Sequence, residues 1–400
     1  MIRSLAHTIA LLLICSLTLV GCRGEYEILP VVSNELNIPH EDYKDLRGFY
    51  LLNEGNMGSN KATLDYCDLS TGVYHRNVYA EANPHMVKEL GDVGNDIGIF
   101  GSKLYAVINV SNFIEVMDAR TARHIGMIKI PNVRYIIFNE ANGKAYASSY
   151  VAPVKFDQNA RVGYVAEIDT TTLEVTRTCN VGYQPEEMVI WYDRKENRQK
   201  LYVANSGGYM FPNYDHTISV IDLNTFTEER KIDVDINLHR LRKGKLSEDS
   251  NGPQELIVTS RGDYYDHPSR LFFIDLKTDQ VIDTLSKAVT NLYIDYETDK
   301  AYFYAVDWSY NTQKNTITYG TFDIRTHELT STNFIKDHTE EDIRIPYGIA
   351  VNPINKDIYI TDALDYVTPG DLRCYGKDGY LKWKTDTGDI PGHFAFLYHK

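Results

Sequence analysis

The sequence predicts an all-β chain: a seven-bladed β-propeller whose ring is closed by the C-terminal strand joining the N-terminal blade. Three observations lead there. A turn motif, Asp-x-x-Thr, recurs at Asp68, Asp118, Asp169, Asp222, Asp275 and Asp323 in steps of 50, 51, 53, 53 and 48 residues; one more step lands on an altered copy, Tyr375-Gly-Lys-Asp378. Between the turns lie short runs rich in β-branched and aromatic residues. A period of about fifty residues in such sequence marks propeller blades. The first unit, from Gly48, lacks the leading strand of the others, and Pro391–Tyr398 supplies one with no strands after it. Closure of this kind removes the open sheet edges.

In chain order, residues 1–21 read as a signal peptide. Arg3 gives a positive start and Ile9 to Ile14 an apolar core, while Leu19-Val-Gly-Cys22 resembles the bacterial lipobox. That likeness implies cleavage before Cys22 and lipidation of its thiol. Residues 22–46, rich in Glu, Pro and Asn, then read as a tether, and 47–400 as the propeller. The apolar run is short for a membrane-spanning helix, and a lipid is the one membrane attachment expected. Acidic Glu25 and Glu27 after the lipid site resemble surface-export signals of Bacteroidetes lipoproteins.

The unit from Lys200 to Val234 shows the repeat most clearly. Leu201–Asn205, Thr217–Leu223 and Thr227–Val234 read as three strands, with a tight polar turn at Asp222 and a long insert, residues 206–215, after the first. A leading strand precedes each such trio, as at Asp96–Phe100, Val133–Phe138 and Glu187–Ile190. In an up-and-down blade of four strands, connections alternate between the two faces of the ring. The long inserts and the blade-to-blade links therefore share one face, and the Asp-x-x-Thr turns take the other.

The insert-bearing face carries the candidate ligand-binding residues. They are the aromatics Tyr150, Tyr183, Tyr209, Phe211, Tyr214, Tyr264, Tyr265, Trp308, Tyr310 and Tyr347, with the polar Glu186, Asn205, His239, Arg240 and Arg261 among them. Aromatic walls with a few placed polar groups suit a largely apolar ligand with many hydrogen-bonding substituents.

Composition narrows the function. A net charge of −14 without a basic run argues against nucleic acid as a partner. Tyr outnumbers Phe, 30 to 14, which suits a surface that binds through flat rings and keeps hydroxyls wet. Cys67, Cys179 and Cys374 fall at strand positions of different blades and read as small buried hydrophobes, with no disulfide framework and no zinc spacing. His239 with Arg240, or Glu186 with Glu187, lacks a second partner fixed by spacing, and no nucleophile elbow, P-loop or dinucleotide fingerprint occurs. Asp263, Asp266 and His267 cluster, but turn chemistry accounts for them. No catalytic residue, metal or cofactor is expected.

The repeats Leu-Tyr-Val-Ala-Asn-Ser and Ser-Val-Ile-Asp-Leu-Asn-Thr resemble the YncE-type seven-bladed propellers over roughly residues 48–400. More narrowly, Leu52–Ser59, Lys88–Asn95, Gly182–Glu187 and Ser260–Tyr265 resemble the BtuG cobalamin-binding surface lipoproteins of Bacteroides. The resemblance implies a lipid-anchored outer-membrane protein, facing the exterior, that captures cobalamin or a related corrinoid. It would pass the ligand to a TonB-dependent transporter of the BtuB type. The alternatives are a propeller mediating adhesion or protein–protein contact, and a lactonase- or quinoprotein-like enzyme.

Overall fold

The Asp-x-x-Thr motifs are hairpin turns. In a computed structural model that describes residues 32–38, 43, 45–86, 89–193, 196–245, 254–309 and 314–399, each Asp carboxylate accepts the backbone N–H groups two and three residues ahead. At Asp169 the distances are 2.8 and 3.1 Å; at Asp323, 2.7 and 3.0 Å; the same pair of bonds recurs at Asp68, Asp118, Asp222 and Asp275. The carboxylate thus fixes a turn that its own sequence encodes. The residue after the Thr is left-handed at Gly72, Ala122, Leu173, Phe226, Asp279 and His327. Five of these six are not glycine, and each accepts a strained φ so that the outermost strand can fold back.

Among the described residues the strands form seven antiparallel sheets. Blade 2 spans 94–129, blade 3 133–180, blade 4 185–233, blade 5 238–285, blade 6 291–331 and blade 7 346–389. Blade 1 runs from Pro391–Tyr398, innermost, through Leu46–Asn53 and Thr63–Asp68 to Val73–His75. The C-terminal strand pairs with Leu46–Asn53 from Tyr398 opposite Leu46 to Pro391 opposite Asn53, so the ring closes as the repeat phase predicts. Seven apolar clusters fill the seven spaces between neighbouring blades. Cys67, Cys179 and Cys374 are free and buried there. Blade 2 approaches blade 3 so closely that a Cβ at Gly98 would sit 2.6 Å from the Phe138 ring.

The structure departs from the sequence reading in three places. Ser33–Glu35, inside the stretch assigned to a tether, is a fifth strand paired with Val73–His75; its three residues are too few for a legible period. A short helix, Val78–Ala82, follows blade 1. Trp308, assigned from sequence to the insert-bearing face, lies on a strand, because Lys300–Ser309 and Lys314–Asp323 stay paired out to Ser309 opposite Lys314. Cys22 and Tyr310 lie outside the described residues, and Trp308 is described only through its backbone.

Deleting residues 391–400 removes the innermost strand of blade 1 and strips cover from the clusters on both of its sides, where Ala395 and Leu397 face blade 2 and Phe394 and Phe396 face blade 7. Loss of the single cooperative transition is expected in a circular-dichroism melt. A melt matching the full chain's would show that the ring closes without this strand.

Candidate functional site

The innermost strands do not pair regularly at their axial ends. In blade 3, Val133 faces Ser149 and Ile136 faces Ala147, so Arg134 and Tyr135 together oppose Ser148 alone. The same two-against-one mismatch places Glu186 and Glu187 opposite one residue in blade 4, His239 and Arg240 in blade 5, and Tyr347 and Gly348 in blade 7. Such β-bulges break strand alternation and re-aim side chains. They also free a backbone N–H, and three blades satisfy it with the hydroxyl opposite. Tyr135 N–H donates to Ser148 Oγ at 3.2 Å, Arg240 N–H to Thr259 Oγ1 at 3.0 Å and Gly348 N–H to Thr361 Oγ1 at 2.7 Å.

The bulged pairs and the long inserts enclose a cavity of about 1120 Å³ on the insert-bearing face. Its wall takes residues from all seven blades. Tyr135, Tyr209, Tyr264, Tyr265, Tyr304, Tyr347 and Tyr366 supply rings; Arg134, Arg240, Arg261 and Arg344 supply guanidiniums; Asn56, Asn95, Asn109 and Asn315 supply amides. Glu54 and Asp307 are the acidic lining groups, and His239, His267 and His393 the imidazoles.

Of the residues picked from sequence, Tyr209, His239, Arg240, Arg261, Tyr264, Tyr265 and Tyr347 line this funnel. Three others stand behind the wall rather than in it. Tyr150 is 3% exposed, and Glu186 and Asn205 are 0% exposed, so none offers a ligand surface. Asn205 instead ties the base of its insert, accepting from Gly182 N–H at 3.1 Å and donating to Ser219 Oγ at 2.9 Å. Tyr183, half-buried, anchors its backbone N–H on Asp215 at 2.8 Å. Phe211 and Tyr214 pack edge-on against each other, 6.1 Å between centroids, outside the funnel lining. The Asp263 cluster is a turn, its carboxylate accepting Tyr265 N–H and His267 N–H at 2.8 Å each.

The sequence reading missed Arg134, Tyr135, Glu54 and His393. Arg134 lies over the Tyr150 ring at 4.7 Å and reaches Glu186 at 3.6 Å. Glu186 also takes Arg261 Nη1 at 3.3 Å and the Tyr150 hydroxyl. Glu187 accepts Arg240 Nη1 and Leu241 N–H at 2.8 and 2.9 Å, and pairs with Arg242. Burial opposes the charge on Glu187, but the Arg242 and Arg240 guanidiniums outweigh it and hold the carboxyl down at about 2. Across the funnel Glu54 accepts from Tyr347 at 2.8 Å and meets His393 Nε2 at 2.9 Å.

His239 is held neutral. Burial, then the charges of Arg261, Arg240 and Arg134, push its pKa well below the ordinary value. Arg240 Nη1 donates to the Tyr135 oxygen at 3.4 Å, and that hydroxyl shares a hydrogen bond with His239 Nε2 at 3.0 Å.

The fold and this site define a class: a closed seven-bladed propeller with a large aromatic and cationic funnel on its axis. Residues 47–235 match the family model described as "Domain of unknown function (DUF5074)". No curated protein matches the chain. Among solved structures, Kuenenia stuttgartiensis hydrazine synthase is similar, with a TM-score of 0.55 and 16% identity over 71% of this chain and 77% of that one, a likeness of fold alone. Among the described residues no group of three or more His, Cys, Asp or Glu is placed to hold a metal ion.

Two outcomes follow for the bulged wall. Thr259→Val keeps the shape but leaves the Arg240 N–H unpaired, and is expected to cost about 1–3 kcal/mol in chemical denaturation; no loss would mean the hydroxyl is not what satisfies the bulge. For His239 the folded pKa lies below the unfolded value of about 6.5. The stability tied to its neutral form is therefore complete above that pH and is lost as pH falls toward the folded value. Wild type should lose melting temperature relative to His239→Gln between about pH 7 and pH 5. A difference independent of pH would contradict it. Asp96, which burial raises to about 6, works in the opposite direction but is common to both proteins.

Proposed function

We propose that this chain is a non-catalytic capture protein for cobalamin or a related corrinoid. In this reading it is held at the outer membrane by lipid on Cys22 and passes its ligand to a TonB-dependent transporter of the BtuB type. One observation carries the reading: of the four separated stretches that resemble the BtuG proteins, three deliver residues to the wall of one funnel and the fourth backs that wall. Leu52–Ser59 delivers Glu54, Asn56 and Met57 to its wall, Lys88–Asn95 delivers Val93 and Asn95, and Ser260–Tyr265 delivers Arg261, Tyr264 and Tyr265. Gly182–Glu187 supplies the two carboxylates that position the arginines.

Size and chemistry support the same ligand. The cavity exceeds the ~300–1,000 Å³ typical of small-molecule pockets, as a macrocycle requires. Tyrosine faces suit a flat corrin, and asparagines and guanidiniums suit its peripheral amides. Catalysis is not part of the reading. Glu187 stays ionised between two guanidiniums, so it is not poised to exchange a proton with a bound molecule.

A second reading rests on the rim, where Phe156, Tyr264 and Tyr265 are 72%, 64% and 69% exposed. Aromatics so placed also suit a protein partner, as an adhesion or assembly role requires.

Calorimetric titration with cyanocobalamin separates the two. One-to-one binding is expected, weakened about tenfold or more, ~1.4 kcal/mol, by Tyr264→Ala or Tyr209→Ala. No heat and no retained pink colour would sink the corrinoid reading and favour the protein partner.

A further inference from the structure

On one wall of the funnel, formed by blades 3, 4 and 5, positive charge exceeds negative. Four guanidiniums share two carboxylates there: Glu186 takes Arg134 and Arg261, and Glu187 takes Arg240 and Arg242. Asp96 accepts the N–H groups of Ile97 and Ile136 at 2.9 Å each, Asp263 those of Tyr265 and His267, and Asp235 meets His267 Nε2 at 2.6 Å. Glu54 is engaged with Tyr347 and His393, and Asp307 lines the funnel from blade 6, outside this wall. A chain with a net charge of −14 therefore concentrates unbalanced cations in a concave, partly dry site.

Packing holds this excess in place. The Arg134 and Arg240 guanidiniums sit 6.0 and 5.9 Å from the centroid of one ring, Tyr135. The Nε of each is buried without a hydrogen-bond partner. Burying such groups unpaired is costly. Both guanidiniums line the funnel with that of Arg261, and planar forks of N–H donors suit a tetrahedral oxyanion.

We infer that Arg134, Arg240 and Arg261 form an anion subsite that holds the ligand by a phosphate-class group. This goes beyond capture of a neutral macrocycle and deepens the proposed function, on which the corrinoid source of that group rests. Two sources share the chemistry: the phosphodiester of a corrinoid's nucleotide loop, and a phosphate carried by some other ligand.

The test uses the full chain and inorganic phosphate, with chloride at matched ionic strength as the control. Phosphate is expected to raise the melting temperature of wild type. The rise should vanish in Arg261→Gln, whose side chain is on an insert, and fall in Arg134→Lys, which keeps charge but loses the fork. Arg325→Gln, in a hairpin turn on the opposite face, should keep it. No rise in wild type, or a rise kept in both Arg261→Gln and Arg134→Lys, would overturn the subsite. The source is settled by titrating cyanocobalamin against dicyanocobinamide, which has the corrin but no phosphodiester. Cobalamin binding at least about tenfold tighter, with the ratio erased by Arg261→Gln, assigns the phosphate to the corrinoid. Neither corrinoid binding while the phosphate rise persists keeps the subsite and removes the corrinoid reading. Equal binding of both corrinoids, unchanged in Arg261→Gln, keeps corrinoid capture and overturns the subsite as its anchor.

Discussion

The chemistry of the axial face depends on one repeated departure from regular pairing. Where an innermost strand reaches the axis, two of its residues oppose one on the neighbouring strand in blades 3, 4, 5 and 7. A regular strand would send alternate side chains to opposite sides. The bulge re-aims adjacent pairs, and so Arg134 and Tyr135, or His239 and Arg240, reach the funnel together. The hydroxyls of Ser148, Thr259 and Thr361 keep the freed N–H groups satisfied. Binding groups and the polar atoms that tolerate the bulge are thus supplied by neighbouring strands of one blade.

Those pairs then organise one another electrostatically. Glu186 and Glu187 lie on blade 4, between the arginine of blade 3 and those of blade 5. Each buried carboxylate is stabilised by guanidiniums from adjoining blades, and removing either would leave uncompensated charge. The position of His239 follows from the same field. The ring closure at Pro391–Tyr398 matters here too, because it brings His393 to Glu54 and completes the far wall.

Much of the fold was legible because its signals are local. Asp68 and its counterparts encode their turns within four residues, and the missing leading strand of the first unit exposed the closure. The face of the ring followed from alternating connections alone. The site was only partly legible. Tyr264 and Tyr265 sit in an insert whose length drew attention, whereas Arg134 and Tyr135 open an innermost strand and look like ordinary strand residues. Their signal was present: aligned on the repeat, they occupy the place of His239–Arg240 and of Glu186–Glu187. Tyr150, Glu186 and Asn205 were placed on the right face but lie behind the wall, because sequence shows which face a residue is on and not its depth. Ser33–Glu35 is too short to show a period.

That outer strand has a mechanical consequence. The lead into the propeller enters at the circumference of blade 1, where Ser33 bonds His75 and Asn34 reaches Thr385 of blade 7 at 3.1 Å. The other end of the chain lies at the axial edge of the same sheet. Tension applied through the N-terminal lead meets a three-residue clasp first, which can peel away one bond at a time. The next strand in the chain, Leu46–Asn53, makes the long pairing that seals the ring, so the clasp is what keeps such load off the closure.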